Sequence, residues 1–185
     1  MDSGGIARQS ASATADLRRL NLATVLTLLH QAGPIRRAEV THRTGLNKST
    51  VLSLVDELSE LGLISESTAV SDGSRGRPSA IVQLNSENVV TVVSEIAVDF
   101  ARIAVVGLGG IVMQSIDVDV NPRAVGPTAT AQALGEAGVN LIVPGSAVVA
   151  AATAVHGVVS TEGHLTTAPN LDWRNLDLGQ LARPF

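Results

Sequence analysis

The sequence predicts an α+β protein whose front half is helical and whose rear half consists mainly of strands. Three observations support this prediction. Apolar residues recur at helical spacing up to about residue 62, glycines separate the helical segments, and β-branched runs dominate after residue 86. With 185 residues, 45% apolar and 16% charged, the chain is too apolar to be disordered and long enough for one or two domains.

The composition divides the chain into residues 1–15, 16–85 and 86–185. The first part is rich in Ser, Ala and Gly and lacks the apolar stretch of a signal peptide, so we expect a disordered lead-in and no secretion. The chain has no cysteine, which excludes disulfides and thiolate metal sites and is compatible with a cytoplasmic protein. Through residue 80 there are nine basic and eight acidic residues, and after it four and nine, so a polyanionic partner would bind the front half.

The first two helices are predicted by apolar spacing and by the glycines that follow them. The first runs from about Asp16 to Gly33, and the second from about Arg36 to Thr44, with Gly45 providing a sharp exit. In the first helix, a buried face follows from apolar residues three, four and seven positions apart. These residues are Leu22, Val25, Leu26 and Leu29.

A third helix begins after Asn47, a good N-cap residue, and ends before Gly62. Its predicted buried face is formed by Val51, Leu54, Val55, Leu58 and Leu61. The opposite face carries Ser49, Ser53, Asp56 and Glu60, so its N-terminal half is small and uncharged while its C-terminal half is acidic.

Three helices with a short glycine-containing turn between the last two are typical of a helix-turn-helix. The N-terminal half of the third helix, with Lys48 and Thr50 beside its outer face, is the part that can approach phosphates and base edges. An ordinary three-helix bundle, with a capped third helix and a polar outer face, is the alternative.

A hairpin with a basic tip is predicted after the third helix. Residues 63–65 and 80–84 have the pattern of short strands, and they flank a loop that contains Arg75-Gly76-Arg77. Two arginines separated by a glycine can enter a narrow minor groove, as the wing of a winged helix does. A solvated linker with two charges is the alternative interpretation.

These residues resemble the repressor branch of the ROK family, named for its repressors, open reading frames and kinases. The resemblance rests on the winged helix-turn-helix at residues 20–84 and on the wing Gly73-Ser74-Arg75-Gly76-Arg77-Pro78. Two later runs also resemble the family, Gly157-Val158-Val159 and Ala168-Pro169-Asn170-Leu171-Asp172-Trp173. The resemblance implies that the rear half is a sugar-sensor domain, with Asn170 as a polar group at the sugar.

The rear half by itself indicates part of an actin-like (ribonuclease H-like) α/β lobe. Residues 89–98, 101–108 and 111–120 predict an antiparallel meander, residues 127–138 a helix, and residues 147–159 a buried strand. That strand lies in an uncharged stretch of 25 residues, which Pro144-Gly145 and His156 make unsuitable for a membrane span. In a chain without the family's later segments, Val148, Val149 and Val155 are expected to form an exposed apolar face that makes the chain prone to associate.

No enzyme activity, cofactor or metal is expected. The family's kinases hold ATP phosphates with an Asp-x-Gly-x-Thr-like turn. This chain has residues 94–100 in that place, and they provide neither the paired small residues nor the hydroxyl of that turn. The glycines at 107–110 lead into a strand rather than a helix, so they predict a turn. Histidines 30, 42, 156 and 164 lack metal-ligand spacing, and Glu162-Gly163-His164 is interpreted as a turn.

The family resemblance also implies a longer chain. Its regulators continue into an Asn-Asp pair, a zinc cluster and a second lobe, so we expect a fragment or a chain truncated within the sensor domain. Such a chain would bind DNA constitutively, and a sugar effector would act only on a full-length form.

We therefore expect a sequence-specific regulator that binds double-stranded DNA, a cytoplasmic homo-oligomer that represses sugar-metabolism genes. The alternatives are a sugar kinase of the same family and a winged helix that binds another protein. The expected DNA contacts are Asn47, Lys48, Ser49, Thr50 and Ser53 in the major groove, Arg75 and Arg77 in the minor groove, and Arg36, Arg37 and Arg43 on phosphates.

Overall fold

The computed structural model describes residues 3–68 and 80–181. The chain forms two compact units, Met1–Asn85 and Ser86–Phe185. The first contains three helices and a small sheet, and the second contains two sheets and three helices in the described residues.

The three helices of the first unit are α1 (Ser3–Ala32), α2 (Arg37–Thr44) and α3 (Lys48–Glu60). The predicted disordered lead-in at residues 1–15 is wrong from Ser3 onward, because α1 already includes those residues. Ala, Arg and Gln at residues 7–13 are good helix formers, and extending an existing helix avoids the cost of nucleating a new one. Gly33, with φ 71°, follows the end of α1.

The helices pack through the apolar faces that the sequence predicts, with one exception. Val25 and Leu29 of α1 contact a core to which α3 contributes four fully buried side chains. The four α3 residues are Val51, Leu54, Val55 and Leu58. Leu61 was predicted to join them but is 59% exposed, because it lies beyond the last residue of α3 and caps the helix from outside.

A small antiparallel sheet completes the first unit. Its strands are β1 (Ile35–Arg36), β2 (Ile64–Thr68) and β3 (Ala80–Leu84), in the order β1-β3-β2. The β2–β3 ladder runs from Ile64 opposite Leu84 to Thr68 opposite Ala80, which is the hairpin expected of a wing. The predicted wing tip, including Arg75 and Arg77, lies outside the described residues.

The main sheet of the second unit has the order β6-β5-β4-β7. Antiparallel pairing joins β4 (Val89–Ile96), β5 (Ala101–Gly107) and β6 (Ile111–Val118), which confirms the predicted meander. The chain then passes through α4 (Pro122–Val125) and α5 (Pro127–Leu141) to β7 (Ala147–Val155), which is parallel to β4. The predicted turn at the glycines is present, with positive φ at Gly109 and Gly110.

The buried strand predicted at residues 147–159 is wrong for β7, whereas the predicted exposure of apolar side chains is present at Val148 and Val149 but not at Val155. Most of its side chains are exposed, including Val148 at 38% and Val149 at 64%, whereas Val155 is partly buried against the core. Among the described residues β7 pairs only with β4, so it forms an edge of the sheet. Its small apolar side chains are typical of a buried strand, and neighbouring layers, not the strand itself, decide whether they are covered.

A second sheet follows, in the order β10-β9-β8. It contains β8 (Val158–Val159), β9 (His164–Ala168) and β10 (Trp173–Asp177), and α6 (Leu178–Leu181) comes after it. The predicted turn before β9 is present, with Gly163 at φ 81°. The core of the unit joins strands β4 and β5 to α5 and to Leu165, Leu171 and Trp173.

Within the described ranges, no helix combines the length and the apolar character needed to cross a bilayer.

Candidate nucleic-acid interface

The turn between α2 and α3 is fixed by two residues with opposite backbone requirements. Gly45 adopts the left-handed conformation at φ 69°, and its N–H donates to the Thr41 carbonyl, which ends α2. Asn47 is extended at φ −71° and ψ 157°, which places its side chain over the first turn of α3. The tight turn sets the direction of α3 relative to α2.

The Asn47 side chain caps α3, which the sequence predicts to be the recognition helix. Its Oδ1 accepts hydrogen bonds from the Thr50 N–H at 2.8 Å and from the Ser49 Oγ at 2.7 Å. The cap therefore satisfies a backbone donor of the first turn and also holds the Ser49 hydroxyl. The other first-turn N–H groups lie at the positive end of the helix dipole, where they favour a bound anion.

The surface that the sequence predicts to face DNA, which we call the DNA-facing surface, is formed by residues 47–50 and 53. Its Ser49 and Ser53 lie opposite the four buried core residues of α3, and Lys48 and Thr50 flank them. Asn47, Lys48, Ser49 and Ser53 are exposed and Thr50 is half-buried, so the structure brings these five predicted contacts together on one surface. Lys48 makes no ion pair with a described residue, which leaves its ammonium available to a phosphate.

Two of the three predicted phosphate contacts are held in ion pairs within the unit. The Arg37 guanidinium bonds both carboxylate oxygens of Glu66 on β2, and Arg37 Nε lies 2.9 Å from Glu66 Oε1. Arg43 Nε donates to Glu39 Oε1 at 2.8 Å across one turn of α2. Arg36 is exposed and makes no ion pair with a described residue.

Arg18 borders this surface, and the sequence did not reveal it. Its Nε donates to Glu57 Oε2 at 2.6 Å, and its Nη2 donates to Ser53 Oγ at 3.1 Å. Arg18 precedes its α3 partners by 39 and 35 residues, and no local pattern records a contact over that separation. An arginine near the start of a predicted helix was the only available signal.

The remaining predicted site residues lie elsewhere. Arg75 and Arg77 are outside the described residues, between the two wing strands. Asn170 belongs to the second unit, where it is exposed in the turn between β9 and β10.

Asn47 is expected to serve both stability and recognition, and two substitutions separate these roles. Asn47→Ala should lower the free energy of unfolding by about 1 kcal/mol, because the first turn of α3 loses its cap. Asn47→Asp should keep the cap and the stability but weaken DNA binding, because it adds a carboxylate to the DNA-facing surface. Thermal unfolding and fluorescence anisotropy with duplex DNA measure the two effects. Equal DNA binding by Asn47→Asp and the unchanged chain would remove Asn47 from the DNA-facing surface.

Three helices, a glycine turn and a strand hairpin define the first unit as a winged helix-turn-helix. Residues 21–67 match the family model of the IclR helix-turn-helix domain. No curated protein matches the chain.

Most of the chain is similar to a crystal structure of a ROK family transcriptional regulator, a homologue of the E. coli MLC protein. The TM-score is 0.58, with 24% sequence identity over 89% of this chain and 42% of that chain. The chain therefore spans less than half the length of that regulator. This likeness confirms the predicted fold class, a helix-turn-helix followed by an α/β lobe.

Proposed function

We propose that the chain is a sequence-specific DNA-binding transcriptional regulator of the ROK type, with α3 as its recognition helix. The observation that carries the proposal is the DNA-facing surface. Its small polar side chains and Lys48 lie at the N-terminal, positive end of α3, and Ser49 and Ser53 lie opposite four fully buried residues that fix the helix in the unit.

The proposed contacts divide into base-reading and phosphate-binding groups. Ser49, Thr50 and Ser53 carry short hydroxyls that donate to or accept from base edges, and Asn47 reaches a base edge beside the cap it forms. Lys48 and Arg36 bind phosphates directly. Arg37 and Arg43 must exchange part of their contacts with Glu66 and Glu39 for contacts with phosphates. They therefore contribute less to DNA affinity than Lys48 and Arg36 do.

We further propose that the regulator represses sugar-metabolism genes and acts as a homo-oligomer in the cytoplasm. A two-fold pair of winged helices fits paired half-sites in an operator. A sugar effector would act on a full-length form, with Asn170 as one polar contact. The fold likeness to a ROK regulator supports this part of the proposal.

Two other classes of protein make different predictions. A sugar kinase would show sugar-dependent ATP turnover. One observation argues against this class. The Ser94 hydroxyl is buried within a strand, 2.9 Å from Thr153 Oγ1, and does not lie at a turn that could hold a phosphate. A protein-interaction module would bind a protein partner and show no salt-dependent association with DNA.

The experiment that tests the function is selection of genomic duplex fragments by the purified chain, followed by sequencing. We expect a small set of enriched sites sharing one motif. The affinity for a selected site should exceed that for its scrambled version and fall linearly with the logarithm of salt concentration. No enrichment, with equal affinity for selected and scrambled duplexes, would contradict sequence-specific binding.

The wing is expected to contribute through Arg77. Arg77→Ala should weaken binding by about 1–3 kcal/mol if the side chain reads the groove, and reduce the salt slope by about one if it neutralises a phosphate. Arg174→Ala, an exposed arginine of the second unit, is the matched control and should change neither quantity. Unchanged affinity and slope in Arg77→Ala would remove the wing from the proposed interface.

A further inference from the structure

A basic side chain from outside the helix-turn-helix borders the DNA-facing surface. Arg18 lies on α1, and its guanidinium bonds both Ser53 and Glu57 of α3. Ser53 is one helical turn beyond Ser49 on the same exposed face. The guanidinium therefore lies at the edge of the surface that faces DNA in the proposed function.

Helices α1 and α3 form an open groove of about 410 Å³ at this edge. Its lining includes three carboxylates of the acidic half of α3, and Arg18 is the one cation in that lining. The lining residues are Arg18, Ser49, Leu52, Ser53, Asp56, Glu57 and Glu60. Without Arg18 the groove would present only negative side-chain charge beside the DNA-facing surface.

We propose that Arg18 is a further DNA-contacting residue, which Glu57 holds beside the recognition helix so that it binds a backbone phosphate. This inference rests on the proposed function of α3. A guanidinium carries five N–H donors in a rigid fork, and the bonds to Ser53 and Glu57 involve Nε and Nη2. The two donors of Nη1 form no hydrogen bond with a described residue, so they are available to donate to a phosphate oxygen.

The Glu57 contact gives this assignment a second testable consequence. Arg18 binds the phosphate, and it also neutralises the Glu57 carboxylate, which would otherwise repel that phosphate. Loss of Arg18 therefore removes one attraction and exposes one repulsion. In a chain that already carries Glu57→Gln the repulsion is absent, so loss of Arg18 should have a smaller effect.

Arg19 provides a matched control on the same helix. It pairs with Asp16 at 3.5 Å, and both side chains are largely exposed, at 82% and 66%. Arg18→Ala and Arg19→Ala change the net charge equally, so an effect of overall charge would appear in both. Only a local contact with DNA distinguishes them.

The experiment is fluorescence anisotropy with a selected duplex at several salt concentrations. Arg18→Ala should bind about 10-fold more weakly, with a salt slope reduced by about one, whereas Arg19→Ala should change affinity less than about twofold. Arg18→Gln, which keeps a donor for Ser53, should show the same loss of slope. The loss from Arg18→Ala should shrink in the Glu57→Gln chain. Thermal unfolding confirms that each variant is folded.

Equal losses for Arg18→Ala and Arg19→Ala would overturn this inference and leave the proposed function standing. A loss without a change of slope in both Arg18 variants would also overturn it, because Arg18 would then only position α3. If the unchanged chain shows no salt-dependent binding to duplex DNA, both the inference and the proposed function fail.

Discussion

Glutamate in place of Ser49 is expected to abolish operator binding while the winged helix-turn-helix stays folded. Ser49 is exposed in the first turn of α3, with its Oγ 2.7 Å from Asn47 Oδ1. In a docked recognition helix this position lies among phosphates and base edges, so a carboxylate there meets repulsion from the duplex. We expect affinity for a selected site to fall about 100-fold or more, because like charges at an interface cost several kcal/mol.

The same substitution should leave the fold intact for an electrostatic reason. The first turn of α3 contains no acidic residue, and a carboxylate there interacts favourably with the helix dipole, by about 0.3–1 kcal/mol. The cap loses the Ser49 hydroxyl but keeps the bond from the Thr50 N–H to Asn47 Oδ1. Thermal unfolding of Ser49→Glu should therefore match that of the unchanged chain, while anisotropy shows the loss of DNA binding.

Ser59→Glu is the matched control, since it adds the same charge to an exposed position in the last turn of the same helix. Its affinity for the selected duplex should stay within about threefold of the unchanged chain, because the N-terminal half of the helix faces the groove. A retained footprint in Ser49→Glu would mean that a different helix docks on DNA.

The helix-turn-helix was predictable because its signals are local. Gly45 and Asn47 are two residues apart. Glycine favours the left-handed backbone that ends α2, and asparagine favours the N-cap position that begins α3. The buried face of α3 follows from helical periodicity, which fails only at Leu61, where the helix has ended. The outer face of α3 follows from the same periodicity.

The features that the sequence did not predict depend on contacts between distant segments. The Arg37–Glu66 and Arg18–Glu57 pairs join residues 29 and 39 positions apart, and long side chains reach such partners only once the helices and strands are packed. The predicted phosphate contact Arg37 is consequently engaged within the unit, whereas Arg43 is engaged by a local partner, Glu39, four residues before it. The prediction of a buried strand at residues 147–159 was wrong for a related reason, since a strand of small apolar residues has the same composition at an edge and in the centre of a sheet.

Gly107 in the second unit is a position where a methyl group is expected to be strongly destabilising. An added Cβ would lie 2.1 Å from the carbonyl oxygen of Ser86 and 2.8 Å from its Cβ. The backbone of Gly107 has φ −82° and ψ 175°, an extended conformation open to any residue, so the requirement for glycine is steric. Ser86 is itself held by its Oγ, which donates to the Leu108 carbonyl at 2.9 Å.

Gly107→Ala should therefore lower the free energy of unfolding of the second unit by about 3 kcal/mol, because backbone atoms must shift to admit the methyl group. Gly110→Ala in the same turn is the control. Gly110 has φ 76° and no atom within 4 Å of its added Cβ, so only backbone strain of about 1 kcal/mol is expected. Denaturant unfolding measures both values. Equal destabilisation by the two substitutions would show that Ser86 moves freely away from Gly107, contrary to the constraint that its bond to Leu108 implies.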